Sequence, residues 1–175
     1  FGSPLTPDRL DRIAAGLGSD VNFFLQPHPA LASGRGERIQ PVKPFDVLSG
    51  MALFLFHPGF GVPTPWAFRE LADFPECRYG RPGRAAAVAE ALGRGDLTTA
   101  LSGLYNGLEA PVLRKYPILA LHQEFLRAHG ARATLMSGSG STTFALFPDE
   151  TTARSAVSPF EARFGTAGWM QVVRL

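Results

Sequence analysis

The chain has 175 residues, 45% of them hydrophobic and 18% charged, which is enough to bury a core in one compact domain with part of a second. Its 17 basic and 15 acidic side chains give a net charge of +2, and the arginines are scattered, so the composition does not indicate a nucleic-acid partner. The single cysteine, Cys77, excludes an internal disulfide and a thiolate metal cluster and fits a cytoplasmic location, while the longest apolar run, 51–56, is too short to cross a membrane.

The first predicted helix has clear start and stop signals. Thr6 is a good N-cap and Pro7 fits the first helical position, and apolar residues recur at helical spacing until Gly18 ends the helix. The apolar run 21–25, which follows directly on Asp20, predicts an extended segment.

A second extended stretch, over 31–42, is interrupted by two glycines and predicts a β-hairpin. The Lys-Pro-Phe-Asp sequence at 43–46 is typical of a turn, and we place a domain boundary there. Residues 1–46 are therefore predicted to end one domain, and residues 47–175 to form a second.

The second domain shows the pattern of a ferredoxin-like fold. The predicted elements are a strand over 51–56, helices over 64–71, 85–92, 97–108 and 117–129, two strands flanking 138–140, a helix after Asp149, and a strand over 169–175. Asp96 is the N-cap of the helix over 97–108, and Pro159 must kink or split the helix after Asp149. On the helix over 117–129, one face carries Ile118, Leu121, His122 and Phe125. This order is βαββαβ with extra helices in the first crossover, which predicts an antiparallel sheet with helices on one face.

The Gly138-Ser139-Gly140 sequence between the two central strands is a candidate phosphate loop. Without a Cβ at Gly138 and Gly140, the backbone can adopt φ > 0 and bring its N–H groups close to an anion. A tight connection between two packed strands is the alternative, and turn statistics alone favour it.

Asp20 is a candidate general base. It lies just after a helix stop and just before a strongly apolar run, where a carboxylate is costly to desolvate unless it has a partner or a task. A side chain that only caps the local turn is the alternative interpretation.

Five segments, in order along the chain, together resemble the 4-diphosphocytidyl-2-C-methyl-D-erythritol kinases, a branch of the GHMP small-molecule kinases in non-mevalonate isoprenoid synthesis. The resembling segments are 17–25, 34–38, 57–59 with 63–65, 106–109 and 136–147. The resemblance implies an α+β fold, in which a GHMP kinase C-terminal ferredoxin-like domain follows the tail of the N-terminal kinase domain. It also implies phosphorylation of the 2-hydroxyl of the cytidine-diphosphate-linked methylerythritol, with ATP as phosphoryl donor and Mg²⁺.

The resemblance also assigns roles to individual residues. Asp20 matches the family's acid, which accepts the proton of the substrate hydroxyl, and Asn22 stands where the family usually has proline. Thr64 and Phe68 match positions that hold the cytidine diphosphate, with the Phe68 ring stacking on cytosine; without the resemblance, Phe68 would be interpreted as a core aromatic. The Gly138–Gly140 loop matches the family's third motif, which approaches the phosphates.

Several family features have no counterpart in this sequence: the lysine near the N-terminus, the tyrosine-histidine pair for the substrate, and the long glycine-serine nucleotide loop. Only Lys43 and Lys115 exist, and neither lies in a glycine-rich loop. The chain also starts at Phe1 instead of a methionine. We therefore expect a C-terminal part of the kinase that is inactive alone, because phosphoryl transfer depends on positioning and charge neutralisation around the γ-phosphate.

Two other functions stay open. Another GHMP kinase, for homoserine, mevalonate or galactose, would share the fold and the third motif but not both the Asp20 motif and the Pro-Thr-Pro sequence at 63–65. A non-enzymatic ferredoxin-like module that binds a small regulator or RNA is the second, although the uniformly apolar strand 51–56 does not fit an RNA-binding sheet. His57, at a strand end, is expected to be structural.

Overall fold

The computed structural model describes residues 5–18, 20–78 and 80–175 and has an α+β architecture. Its strands are β1 (Ala30–Ser33), β2 (Arg38–Pro41), β3 (Ala52–His57), β4 (Ala133–Met136), β5 (Thr143–Phe147) and β6 (Trp169–Arg174). Its α-helices are α1 (Pro7–Leu17), α2 (Thr64–Glu70), α3 (Pro75–Arg78), α4 (Arg84–Gly93), α5 (Leu97–Ser102), α6 (Glu109–Lys115), α7 (Ile118–Ala128), α8 (Glu150–Ser155) and α9 (Val157–Phe164). Short 3₁₀ turns cover Val21–Leu25, Asp46–Leu48 and Leu71–Asp73. Within these described ranges, no helix is long and apolar enough to span a membrane.

Four strands form one antiparallel sheet in the order β4-β5-β3-β6, and β1 and β2 form a separate hairpin. Helices α2 to α7 lie between β3 and β4 in the chain, and α8 and α9 lie between β5 and β6. The order and the pairing are those of a ferredoxin-like βαββαβ fold with extra helices in the first crossover. The fold prediction is therefore confirmed.

The main core lies between one face of this sheet and helices α7, α8 and α9. Side chains alternate across a strand, so Phe54 of β3 and Ala145 of β5, which are register partners, both face the helices and are fully buried. The Phe54 ring lies 6.3 Å from that of Phe147 and 5.5 Å from that of Phe160. Each fully buried phenylalanine contributes about 1.5–3 kcal/mol through burial, so this cluster fixes β5 and the loop that leads into it.

One titratable side chain, His122 of α7, is buried in this core. It is 3% exposed, and its ring contacts those of Phe56, Phe160 and Phe164, with centroids 4.6–5.3 Å away. Burial lowers the pKa of His122 from 6.5 to about 4, so the imidazole is neutral at pH 7. Its Nδ1 has no hydrogen-bond partner among the described residues.

A second apolar cluster packs at one end of the sheet and lies beside the β4–β5 loop. It joins α2, α6 and the start of α7 to the end of β4, and its buried members are Val62, Ala67, Leu71, Leu108, Val112, Leu119 and Met136. Because α2 and the end of β4 belong to one cluster, residues of α2 are held close to the loop that follows β4.

The predicted extended segment at 21–25 is wrong, because these residues form a 3₁₀ turn. Asn22 is 9% exposed, and its Nδ2 donates to the carbonyl oxygen of Asp11 on α1 at 3.1 Å. A short apolar run does not distinguish a strand from a turn. Here the contact of Asn22 with the helix keeps the chain coiled beside α1, and proline at this position has no amide side chain to make it.

Two details of the predicted helices are also wrong. On α7 the buried residues are Leu119, His122, Gln123 and Leu126, whereas Ile118 and Leu121 are exposed. The predicted helix over 97–108 ends at Ser102, and a separate helix, α6, begins at Glu109. Glycines at 103 and 107 separate the two, since glycine weakens a helix interior.

The helix starts predicted behind Asp96 and Asp149 are confirmed, and both side chains are N-caps that accept hydrogen bonds from the backbone N–H groups of Thr99 and Thr152. The predicted split at Pro159 is also confirmed, because α8 ends at Ser155 and α9 begins two residues later. Proline has no N–H to donate to the carbonyl four residues earlier, which is that of Ser155.

Residues before the predicted boundary at 46 bury little apolar surface. In α1 and the 3₁₀ turn that follows, only Ala14 and Asn22 are buried among the described residues. Exposed large apolar side chains there are Ile13, Leu17, Phe23, Phe24 and Leu25, of which Phe24 is 78% exposed.

Candidate functional site

The loop between β4 and β5 is a tight turn whose two glycines have left-handed backbone conformations. Gly138 has φ 57° and Gly140 has φ 83°, in the left-handed region that favours glycine. The Ser137 N–H donates to the Thr142 carbonyl at 2.8 Å, and the Gly140 N–H donates to the Ser137 carbonyl at 3.0 Å. Two hydrogen bonds therefore close the loop into a tight turn at the end of the sheet.

Both glycines have positive φ angles, but only Gly140 also lacks space for a side chain. A Cβ on Gly140 would lie 2.5 Å from Sδ of the buried Met136, which leaves no room for a side chain. A Cβ on Gly138 would meet no described atom within 4 Å. Gly140 therefore packs against the strand end, whereas Gly138 leaves an open space beside the loop.

Ser139 joins the loop to α2. Its Oγ lies 2.8 Å from Oγ1 of Thr64 and donates to the Val62 carbonyl at 3.3 Å. The next serine, Ser141, is fully buried, and its hydroxyl donates to the Phe60 carbonyl. The structure thus brings together Thr64 and Ser139, two predicted site residues that are 75 positions apart.

Thr64 lies within helix α2 and does not cap it. Pro63 is the N-cap of α2, and Thr64 is the first helical residue, so the Thr64 hydroxyl is available to Ser139. Phe68 lies four residues further along, on the same face of α2 as Thr64. The Phe68 side chain is 60% exposed, so it is not a core aromatic of this chain.

Phe68 borders an open cleft of about 540 Å³ that runs towards the Asn106 turn, with Leu71, Arg84, Tyr105 and Asn106 among its lining residues. The guanidinium of Arg84 lies 4.3 Å from the centre of the Tyr105 ring, and the Tyr105 hydroxyl donates to the Cys77 carbonyl at 2.8 Å. An exposed aromatic ring on a short helix beside a cleft is available to stack on a planar ligand.

Asp20 lies in the first predicted domain, as the N-cap residue of the 3₁₀ turn at Val21–Leu25, and it is exposed. The residues that join Thr64 to the loop all belong to the second predicted domain. The role of Asp20 as a general base beside the phosphoryl acceptor therefore stays a prediction. Its alternative role as a cap of the local turn stays one as well.

Residues 106–109, to which the sequence analysis assigned no role, contact the end of β4 and the loop that follows it. Asn106 Nδ2 donates to the carbonyl oxygens of both Met136 and Gly138 at 2.8 Å. Glu109 Oε1 accepts from the Met136 N–H at 2.7 Å and from Nε2 of Gln123 at 2.6 Å. An asparagine-glycine pair in front of a helix was the visible signal, but it indicates only a turn.

Two side chains from the sequence analysis have structural contacts. His57 Nδ1 accepts from the Gly59 N–H at 3.1 Å, and its ring stacks parallel to that of Trp169. The Lys115 ammonium lies 4.1 Å from the centre of the Trp66 ring.

In the part of the chain that the structure describes, no group of three or more His, Cys, Asp or Glu side chains could hold a metal ion.

Comparison with known proteins decides the family. Residues 88–166 match the family model described as GHMP kinases, C terminal. Over 97% of its length, the chain is 37% identical to the 4-diphosphocytidyl-2-C-methyl-D-erythritol kinase of Geobacter sp. strain M21, of which it covers 55%. The chain belongs to the GHMP kinase family.

Solved structures agree with this family. The GHMP kinase chain aligns with a crystal structure of 4-(cytidine 5'-diphospho)-2C-methyl-D-erythritol kinase at a TM-score of 0.67 and 34% identity, over 93% of this chain and 55% of that one. It aligns with a homoserine kinase from Cytophaga hutchinsonii at a TM-score of 0.57 and 18% identity, over 78% and 45% of the two chains, which shows the fold alone. The chain spans about half the length of the curated relatives it matches.

Proposed function

We propose that this chain is the C-terminal part of a kinase that transfers the γ-phosphoryl group of ATP to the 2-hydroxyl of 4-diphosphocytidyl-2-C-methyl-D-erythritol. The observation that carries the proposal is the 37% identity to a kinase of that name over 97% of the chain. The 18% identity to a homoserine kinase of the same fold makes the other acceptors of the superfamily the weaker candidates.

In the proposed enzyme, helix α2 and the loop between β4 and β5 bind the substrate. Phosphoryl transfer needs little covalent chemistry from the protein, so catalysis comes from positioning and from groups that face the developing charge. In the proposed enzyme, Phe68 stacks on the cytosine and Thr64 holds the nucleotide beside it. The backbone N–H groups of Gly138 and Ser139, with Gly138 in the left-handed conformation, face the phosphates, while the Gly140 N–H closes the loop.

Asp20 is proposed as the general base that accepts the proton of the acceptor hydroxyl. Mg²⁺ is bound in such sites largely by the phosphates of ATP, with one or two carboxylates, so a dedicated carboxylate cluster is not required. The ion would neutralise charge on the transferring phosphates when it is bound.

We propose that the ATP-binding surface of the whole enzyme comes largely from a region that matches the other half of the relatives. Residues 1–46 would be the end of that N-terminal domain. The exposed apolar side chains of α1 and the Val21–Leu25 turn support this, because a domain normally buries such a cluster. The 175-residue chain alone, which lacks the family's lysine and long nucleotide loop, is then expected to be inactive.

A chimeric kinase tests the proposal. The part of the Geobacter sp. protein that precedes the matched region would be joined to this chain, and ADP release would be measured with ATP and Mg²⁺. The proposal predicts ADP release with the cytidine-diphosphate-linked methylerythritol as acceptor, and none above background with homoserine or mevalonate. The 175-residue chain alone, tested in parallel, should release none.

Two results would contradict the proposal. Preference of the chimera for homoserine or mevalonate would assign another GHMP activity to this domain. Steady turnover by the 175-residue chain alone, well above a control without enzyme, would show that the ATP surface is already complete within it.

A further inference from the structure

The end of strand β4 is bound by side chains where a neighbouring strand would otherwise lie. Met136, the last residue of β4, donates its N–H to Oε1 of Glu109 and accepts at its carbonyl from Nδ2 of Asn106. Because β4 is at the edge of the sheet, these backbone groups have no partner strand in the part of the chain that the structure describes. Asn106 and Glu109 therefore satisfy both backbone groups of the residue that precedes the glycine-serine loop.

The carboxamide of Asn106 also reaches into the loop itself. The same Nδ2 that binds the Met136 carbonyl donates to the Gly138 carbonyl, each at 2.8 Å. Its Oδ1 accepts from the Leu108 N–H at 3.0 Å. All three contacts require one orientation of the amide group, in which the nitrogen faces the loop and the oxygen faces its own turn.

The rest of the segment holds Asn106 in place. A Cβ on Gly107 would lie 2.5 Å from the Cys77 carbonyl oxygen, so only glycine allows this close approach. Leu108 is 9% exposed and belongs to the apolar cluster that contains Met136. Glu109 is fixed in turn by Nε2 of Gln123, which is itself buried. Contacts of Gly107, Leu108 and Glu109 therefore hold the turn that carries the Asn106 amide.

We propose that Asn106 is a positioning residue for the Gly138–Gly140 loop, with Glu109 as its support. By fixing the Gly138 carbonyl relative to the strand end, Asn106 sets the direction of the loop N–H groups and keeps the Ser139 hydroxyl beside Thr64. The link to phosphate binding rests on the proposed function, whereas the effect on loop order does not. Glycine and serine restrain a backbone weakly, so an ordered loop of this composition needs such external contacts.

The test uses the 175-residue chain with Asn106→Asp. Aspartate keeps the shape and the Oδ1 acceptor for Leu108, but it replaces the donor to two carbonyl groups with a second acceptor. Asp149→Ala is the control, because it removes the cap of α8 at the opposite end of β5 from the loop. The measured quantity is the amide hydrogen-exchange rate, by NMR, of Ser137 and Gly140, whose N–H groups close the loop.

In Asn106→Asp we expect these two amides to exchange at least about tenfold faster than in wild type, with the amides of β3 changed no more than in the control. Exchange at Ser137 and Gly140 no faster than in Asp149→Ala would overturn the proposal. Asn106→Ala gives the same comparison if the aspartate variant does not fold. If neither variant folds while the control does, Asn106 is required for the fold itself and the positioning role is wrong.

A titration with inorganic diphosphate separates this proposal from the proposed function. The probe is added to the wild-type chain, and the amide signals of 138–140 are followed. A shift of these signals supports phosphate binding by the loop, and no shift counts against that part of the proposed function. The exchange rates decide the role of Asn106 in either case, because they are measured without ligand.

Discussion

Acid should destabilise this protein through His122. Burial lowers the pKa of its imidazole from 6.5 to about 4. The unfolded chain binds the proton near pH 6.5 and the folded chain only near pH 4, so this part of the stability is complete above pH 6.5 and is lost as the pH falls between the two values. A lowering of about 2.5 pKa units corresponds to roughly 3 kcal/mol at the acid limit, which is a large share of the typical stability of a domain.

The assay is urea unfolding at pH 7.5 and pH 4.5, with His122→Leu as the matched variant. Leucine fills similar space, does not titrate, and removes the buried Nδ1 that has no partner among the described residues. Between these pH values, wild type should lose about 2.5 kcal/mol more unfolding free energy than the variant. The carboxylates and the other histidines titrate in both proteins, so their contributions cancel in the difference. An equal acid loss in both would refute the reasoning, because His122 would then not be the group responsible.

Four further substitutions test the core, the loop and the proposed general base. Phe160→Ala, at a fully buried position, should cost about 3–5 kcal/mol of unfolding free energy through the cavity it leaves. Gly138→Ala should lower the free energy of unfolding by about 1–2 kcal/mol through backbone strain alone. Gly140→Ala should lower it further, because the added Cβ also meets Met136. Equal losses of unfolding free energy in urea would argue against the packing described at Gly140. In the chimeric kinase, Asp20→Asn should lower kcat by about 10²–10⁴-fold with little change in substrate binding, and wild-type kcat would leave Asp20 as a turn cap.

The order of elements could be predicted because local signals marked their ends. Aspartates at helix starts, a proline at 159 and apolar runs at strand spacing each act over a few residues, and the structure follows them. The buried face of α7 could not be predicted in the same way. Apolar residues occur on several sides of this helix, so spacing alone did not distinguish Leu119, which is buried, from Leu121, which is 49% exposed.

The candidate site could be predicted only in part. A glycine-serine turn between two apolar runs is visible in the sequence, and its left-handed glycines follow from that composition. The hydrogen bond between Thr64 and Ser139 and the contacts of Asn106 join residues 30 to 75 positions apart, and no local pattern indicates which side chains will meet across that distance. The exposure of Phe68 could not be predicted either. Its position on α2 follows from the sequence, but its exposure depends on which face of α2 packs against the apolar cluster.

The central claim is that the exposed surface around Phe68 binds the cytidine of the substrate. Its most direct test is Phe68→Ala in the chimeric kinase, with the dissociation constant of the cytidine diphosphate substrate and the unfolding free energy both measured. Leu121→Ala is the control, because it also truncates a large exposed apolar side chain, on α7. We expect the substrate dissociation constant of Phe68→Ala to rise about 5- to 150-fold, equivalent to roughly 1–3 kcal/mol of stacking, with a stability loss no larger than that of the control. An unchanged dissociation constant, or a stability loss of about 3 kcal/mol or more, would contradict the claim.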